Sequence, residues 1–150
     1  GWYAFGLDVT DHIGAVATDT LVVQALYPEG NVDPVADAGA DLIFTDTVTC
    51  TIDAYGNYVC GTCPNLGVAL DGSGTYDPDG DAFASIWTLL AGSGTITAPT
   101  SLNTTLTMTN ATTIYGATVT HTYQAFLVVT DCPDNVDSDT VTISYECTGI

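Results

Sequence analysis

YAFGLDVTDHIGAVATDTLVV (residues 3–23) and YQAFLVVTDCPDNVDSDTVTI (residues 123–143) are two versions of one pattern. Tyr3 matches Tyr123, Thr10-Asp11 matches Thr130-Asp131, and Asp19-Thr20 matches Asp139-Thr140, all at a constant offset of 120 residues. In the first version Phe5, Leu7 and Val9 alternate with Gly6 and Asp8, and a polar turn leads to Leu21-Val22-Val23. Alternation with a period of two on both sides of a turn is the mark of a β-hairpin. The repeat divides the chain into residues 31–150, one whole unit, and residues 1–30, the last two strands of a preceding unit.

Between the copies lie short strand candidates: 41–45, 48–52, 58–60, 68–70, 82–90 with Trp87, 95–97, 102–108 and 113–120. Gly, Pro, Asn and Asp separate them at the spacing of an all-β sandwich, and no helix of normal length is readable. Thr and Val are abundant, which favours strands. A chain of 150 residues can bury a core of this kind.

The chain carries 18 acidic residues and no Lys or Arg. Nothing in it neutralises phosphate, so nucleic acid is excluded as a partner, and an anionic membrane surface is disfavoured on the same ground. No apolar stretch approaches the roughly 18 residues of a membrane span. Gly1 reads as a mature or trimmed start, since no signal-peptide pattern precedes it. Cysteines at 50, 60, 63, 132 and 147, with sequons at Asn103 and Asn110, point to an oxidising, extracellular setting and a glycoprotein.

PVADAG (34–39), LDGSGTYDPDGD (70–81), IWTL (86–89) and YQAFLVVTD…SDTVTI (123–143) together resemble the PKD-like (polycystic kidney disease) family of extracellular modules. The resemblance covers most of 31–150. It implies an immunoglobulin-like, PKD-type β-sandwich with an extra N-terminal hairpin. It also implies work as a spacer, adhesive element or accessory domain rather than catalysis. Two departures stand out: the tryptophan strand continues as TLLAGSG instead of an FGDG-type turn, and about residues 46–66 read as an inserted hairpin.

In that topology the loop after the second strand (71–81), the loop of the last hairpin (131–139) and the incoming linker share one end. Asp33, Asp37, Asp71, Asp77, Asp79, Asp81, Asp131, Asp134, Asp137 and Asp139 then converge, with Asp77, Asp79 and Asp81 at alternate positions around a Pro-Asp-Gly turn. Hard cations take six to eight oxygens of this kind, and crowded carboxylates without basic partners repel. A subset of these residues is the candidate Ca²⁺ site, expected to stiffen the link between units; the bland reading is a solvated acidic rim of turn-forming Asp.

A three-residue turn at 54–56 sets Cys50 directly opposite Cys60, within disulfide reach. Cys63 and Cys147 fall at the other end and are the second expected pair. Cys132 either stays free or links neighbouring units. Cys60-Gly61-Thr62-Cys63 lacks the helix of a redox motif and the second ligand pair of a zinc site. Trp87 belongs to the core. Trp2, Tyr3 and Phe5 are assembly candidates, because a lone hairpin exposes large apolar groups; an aromatic carbohydrate platform is the rival use. His12 and His121 have no nucleophile motif beside them.

Three explanations fit a chain that opens with a copy of its own end. It is a window on a tandem array, or a subunit whose hairpin docks on a neighbour, or a hairpin packed on its own domain. The leading expectation is a non-enzymatic structural repeat of an extracellular fibre, surface layer or adhesin, joined end to end with copies of itself or adjacent repeats. The alternative is a carbohydrate- or protein-binding accessory module of a secreted protein.

Overall fold

The computed structural model describes residues 2–24, 30–109, 113–132 and 134–150. The chain divides into two compact units, Gly1–Asn31 and Val32–Ile150.

The second unit takes its form from strands in which alternate residues are apolar. β6 (Gly67–Asp71), β9 (Asn103–Met108) and β8 (Gly94–Ile96) form a three-stranded sheet in the order β6-β9-β8. β3 (Leu42–Val48), β11 (Val136–Gly149), β10 (Thr118–Asp131) and β7 (Phe83–Ala91) form a four-stranded sheet in the order β3-β11-β10-β7. Within it β3 runs parallel to β11, while β10 pairs antiparallel with both β11 and β7. Val68, Leu70, Leu106 and Met108 from one sheet meet Tyr123, Ala125, Leu127, Val129, Val141, Ile143 and Tyr145 from the other. Successive side chains of a strand point to opposite faces, so the period of two in β10 and β11 fills the space between the sheets. Each fully buried Val, Leu or Ile contributes about 1.5–3 kcal/mol over an exposed one, so this core dominates the stability of the unit.

Trp87 on β7 is buried in the same layer, its Nε1 donating to the Leu102 carbonyl at 3.2 Å. A shift in register opposite Gln124 and Ala125 bulges β7 at Leu90, which is turned out to solvent. Just beyond, Gly92 holds a φ of 86° with no room for a Cβ against the Tyr123 ring.

β4 (Cys50–Ile52) and β5 (Tyr58–Cys60) make a separate hairpin inserted between β3 and β6. A single strand over 48–52 does not form. β3 ends at Val48, whose carbonyl accepts from Ile150, and Cys50 then turns to face Cys60. A strand over 113–120 is likewise shortened: Ala117 donates back to the Ile114 carbonyl around Gly116, and β10 starts only at Thr118.

The first unit is a hairpin of β1 (Trp2–Thr10) and β2 (Val16–Gln24), paired antiparallel from Trp2 opposite Gln24 to Thr10 opposite Val16. Its described residues are all exposed. A two-stranded sheet has no second layer of its own.

Candidate functional site

The two hairpins agree residue for residue. Tyr3 faces Val23, Leu7 faces Asp19 and Thr10 faces Val16; at the offset of the repeat, Tyr123 faces Ile143, Leu127 faces Asp139 and Thr130 faces Val136. The turns agree too. Asp11 donates its N–H to the Ala15 carbonyl and accepts from Gly14, just as Asp131 donates to Asn135 and accepts from Asp134. The Asp side chain closes each turn, Asp11 Oδ1 accepting from Ala15 N at 2.9 Å and Asp131 Oδ1 from Asn135 N at 2.8 Å. The β4–β5 hairpin uses the same device, with Asp53 Oδ1 accepting from Tyr55 N and Asn57 N. These hydrogen bonds, that to the Asn57 N–H above all, hold the Asp53 carboxyl below its ordinary value.

What differs is cover. Leu127 and Ala125 are 0% exposed, whereas Leu7 and Phe5 at the same positions are 63% and 61% exposed. Tyr3 and Phe5 share this face with Leu7, Val9, Leu21 and Val23. Trp2 points the other way, so the three aromatic assembly candidates do not form one surface.

At the other described feature, the end bearing the acids, the linker is tied down by carboxylates. Asp79 Oδ2 accepts from Val32 N at 2.6 Å, Asp137 Oδ2 from Ala36 N at 2.9 Å and Asp139 Oδ2 from Ala38 N at 2.8 Å. Val35 and Tyr76 exchange main-chain bonds, and the Asp37 N–H donates to Thr75 Oγ1. Three further acids close local turns: Asp37 on Gly39 N, Asp71 on Ser73 N, and Asp77 Oδ1 on both Asp79 N and Asp81 N. The Ser73 hydroxyl and N–H lower the Asp71 carboxyl from its ordinary value. Asp137 and Asp139 sit inside β11 rather than in a loop. Asp33 and Asp134 are exposed, and Asp131 is buried at the end of β10. The linker, the 71–81 loop and the last hairpin thus meet at one end, joined by main-chain donors on carboxylates.

This arrangement is a limited fit to calcium. Among the described residues no three carboxyl, thiol or imidazole groups stand close enough to share an ion. Among the described residues one buried carboxylate oxygen, Asp77 Oδ2, accepts no hydrogen bond. An ion there would draw its remaining oxygens from the main chain or water.

Cys50 is bonded to Cys60, and Cys63 to Cys147. The second bond lies in the core, Cys147 within β11 and not beyond it. Cys132 is free and exposed. The inserted hairpin is braced by its ring contacts: Tyr58 stacks on Tyr115 with centroids 3.6 Å apart and planes 3° from parallel. Tyr55 at its tip is 91% exposed. Asn103 is exposed at the start of β9, in a shallow depression of about 460 Å³ with Asp71, Ser73 and Thr105. Asn110 lies outside the described residues. Sequence reasoning missed Asp41, which accepts from Thr142 N at 2.7 Å and pins the start of β3 to β11. It also missed the Tyr58–Tyr115 stack, whose partners are far apart in the chain.

No protein-family model matches the chain, and no curated protein matches it. Solved structures do. One is a nucleoside hydrolase-related hypothetical protein from Saccharophagus degradans, associated with carbohydrate metabolism. It is 20% identical with a TM-score of 0.52, over 77% of this chain and 26% of its own length. The chain therefore spans about a quarter of that protein. Another is the PKD domain of the KIAA 1837 protein, 19% identical with a TM-score of 0.50, over 83% of this chain and 94% of that domain. The fold is a PKD-like, immunoglobulin-like β-sandwich.

Proposed function

We propose that this PKD-like sandwich is a non-enzymatic structural repeat of an extracellular fibre, surface layer or adhesin, joined end to end with copies of itself or adjacent repeats. The observation that carries the proposal is the first hairpin, which repeats the pairing register and turn of β10–β11 at an offset of 120 residues. Two disulfides favour an oxidising exterior, and among the described residues no helix is long and apolar enough to cross a membrane. The linker is held by side chains of the 71–81 loop and of β11, which suits a joint that transmits orientation from one unit to the next. Calcium would stiffen this joint further. The buried, unpartnered Asp77 Oδ2 supports that reading, since a buried polar oxygen without a partner is costly.

The test is negative-stain imaging of the native material with and without a calcium chelator. Regular fibres support the repeat, and fibres that loosen on chelation support calcium at the joints. Dispersed monomers in both conditions sink the assembly.

The second reading is a carbohydrate-binding accessory module. It rests on the exposed Tyr55 at the tip of the hairpin that carries Tyr58, and on likeness to a protein associated with carbohydrate metabolism. Retention on polysaccharide that is lost in Tyr55→Ala would favour it.

A further inference from the structure

We infer that the apolar face of the β1–β2 hairpin is the inner face of a complete sandwich. Its cover is a five-stranded shell, equivalent to β3, β6, β7, β8 and β9, lying immediately N-terminal to the hairpin in the natural polypeptide. The inference rests on the repeat reading above and adds which surface is covered, by what, and from where.

The two hairpins share one register. A slip of one residue would turn the opposite set of side chains inward, so two hairpins in the same register with the same turn present the same face. In β10–β11 that face is Tyr123, Ala125, Leu127, Val129, Val141 and Ile143, and it is covered by β6 and β9. In β1–β2 the same six positions are Tyr3, Phe5, Leu7, Val9, Leu21 and Val23, all aromatic or aliphatic, with Asp19 opposite Leu7 where Asp139 stands opposite Leu127. The edges carry the same instruction. β10 takes β7 antiparallel, with Leu127 opposite Trp87, and β11 takes β3 parallel, with Ile143 opposite Leu42. β1 and β2 therefore call for an antiparallel neighbour at Leu7 and a parallel neighbour at Val23.

A second copy of this chain does not supply that cover. Its shell already holds β10–β11, buried and bonded through Cys63–Cys147. The hairpin is also the wrong shape for it. Phe5 would have to enter the place of Ala125, which is 0% exposed, and Tyr27 stands in the sequence where Cys147 closes the disulfide. Overpacking a full core in this way costs about 1–3 kcal/mol or more. The covering shell is a relative of 42–108 with space opposite Phe5 and no need of a cysteine at the position of Cys63. In this unit the shell precedes its last hairpin in the same chain, which fixes the source.

Hydrogen exchange decides the matter, comparing the polypeptide isolated from its source with the 150-residue chain at two concentrations. In the natural polypeptide, amides of 3–9 and 17–23 should exchange at least about 100-fold more slowly than in the 150-residue chain, independent of concentration. Leu7→Asp in the natural polypeptide should abolish that protection and leave 123–143 protected. Three results overturn the inference: no protection in the natural polypeptide, protection already present in the dilute 150-residue chain, or protection in that chain that grows with concentration. The second means packing within this chain, and the third means a second copy. None of them disposes of fibre formation, and dispersed monomers on the imaging grid would leave a cover within one polypeptide intact.

Discussion

Asp134 holds a φ of 82° at the position where Gly14 holds 88° in the first hairpin. Both residues donate their N–H to the Asp that opens the turn, Asp131 and Asp11 respectively. The left-handed conformation is needed by the turn and is unfavourable for a residue with a Cβ, by about 1 kcal/mol even where Asp tolerates it. Asp134→Gly should therefore raise the stability of Val32–Ile150 by about 0.5 kcal/mol, after the larger entropy loss of glycine on folding is deducted. Urea unfolding checks this, and a loss of stability would mean that the Asp134 side chain has a role of its own.

The anchoring of the linker makes a sharper demand. Asp139 accepts from Ala38 N through Oδ2 and from Thr140 N through Oδ1. Asp139→Ala should cost about 1–3 kcal/mol, because two main-chain donors lose a charged acceptor. Amide exchange at Ala38 should accelerate, while the Cys50–Cys60 hairpin is untouched.

Glycine 92 is the steric counterpart. Gly92→Ala meets both a φ of 86° and the Tyr123 ring, and should cost about 2 kcal/mol or more. Gly6→Ala, where an added Cβ meets nothing within 4 Å, should change stability by less than about 0.5 kcal/mol. Thermal unfolding of the two variants side by side separates crowding from composition.

Acid should open the β4–β5 turn. The Asp53 carboxyl is lowered in the folded chain from an ordinary value of 3.8, chiefly by the Asn57 N–H. A depressed folded value means a contribution fully present above the unfolded value and lost as pH falls through the folded one. The amide signals of Tyr55 and Asn57 should hold steady from neutral pH down to about pH 4 and move or broaden below it. The Asp71 turn at Ser73 should follow the same direction.

The sandwich was legible where a local pattern fixes it. The buried set Tyr123, Ala125, Leu127 and Val129 is a period of two written in the chain, and the turn at Gly56 places Cys50 opposite Cys60 by counting. The acidic end was legible only in outline. Asp137 and Asp139 find their partners at Ala36 and Ala38, a sequence separation of 101 residues. Those partners are main-chain N–H groups, which every residue except proline carries. A row of aspartates therefore reads as a cation site when its donors leave no mark in the side-chain alphabet. Strand limits failed for a related reason: the break at Thr49 and the turn at Gly116 are set by pairing with Gly149 and Ile150, at the far end of the chain.

The Cys63–Cys147 bond acquires a further meaning if the joined units are pulled. Traction applied at Val32 and Ile150 reaches the two sulfurs and passes across them, bypassing β6 to β10 and most of β11. Cys50–Cys60 short-circuits a second loop in the same way. At about 3.5 Å per extended residue, Val32–Ile150 without its disulfides could lengthen to roughly 400 Å, but with both closed it can reach only about 95 Å. The module behaves as a link of bounded stretch, whose length under load is set by two covalent bonds while β6 to β10 stay out of the line of force.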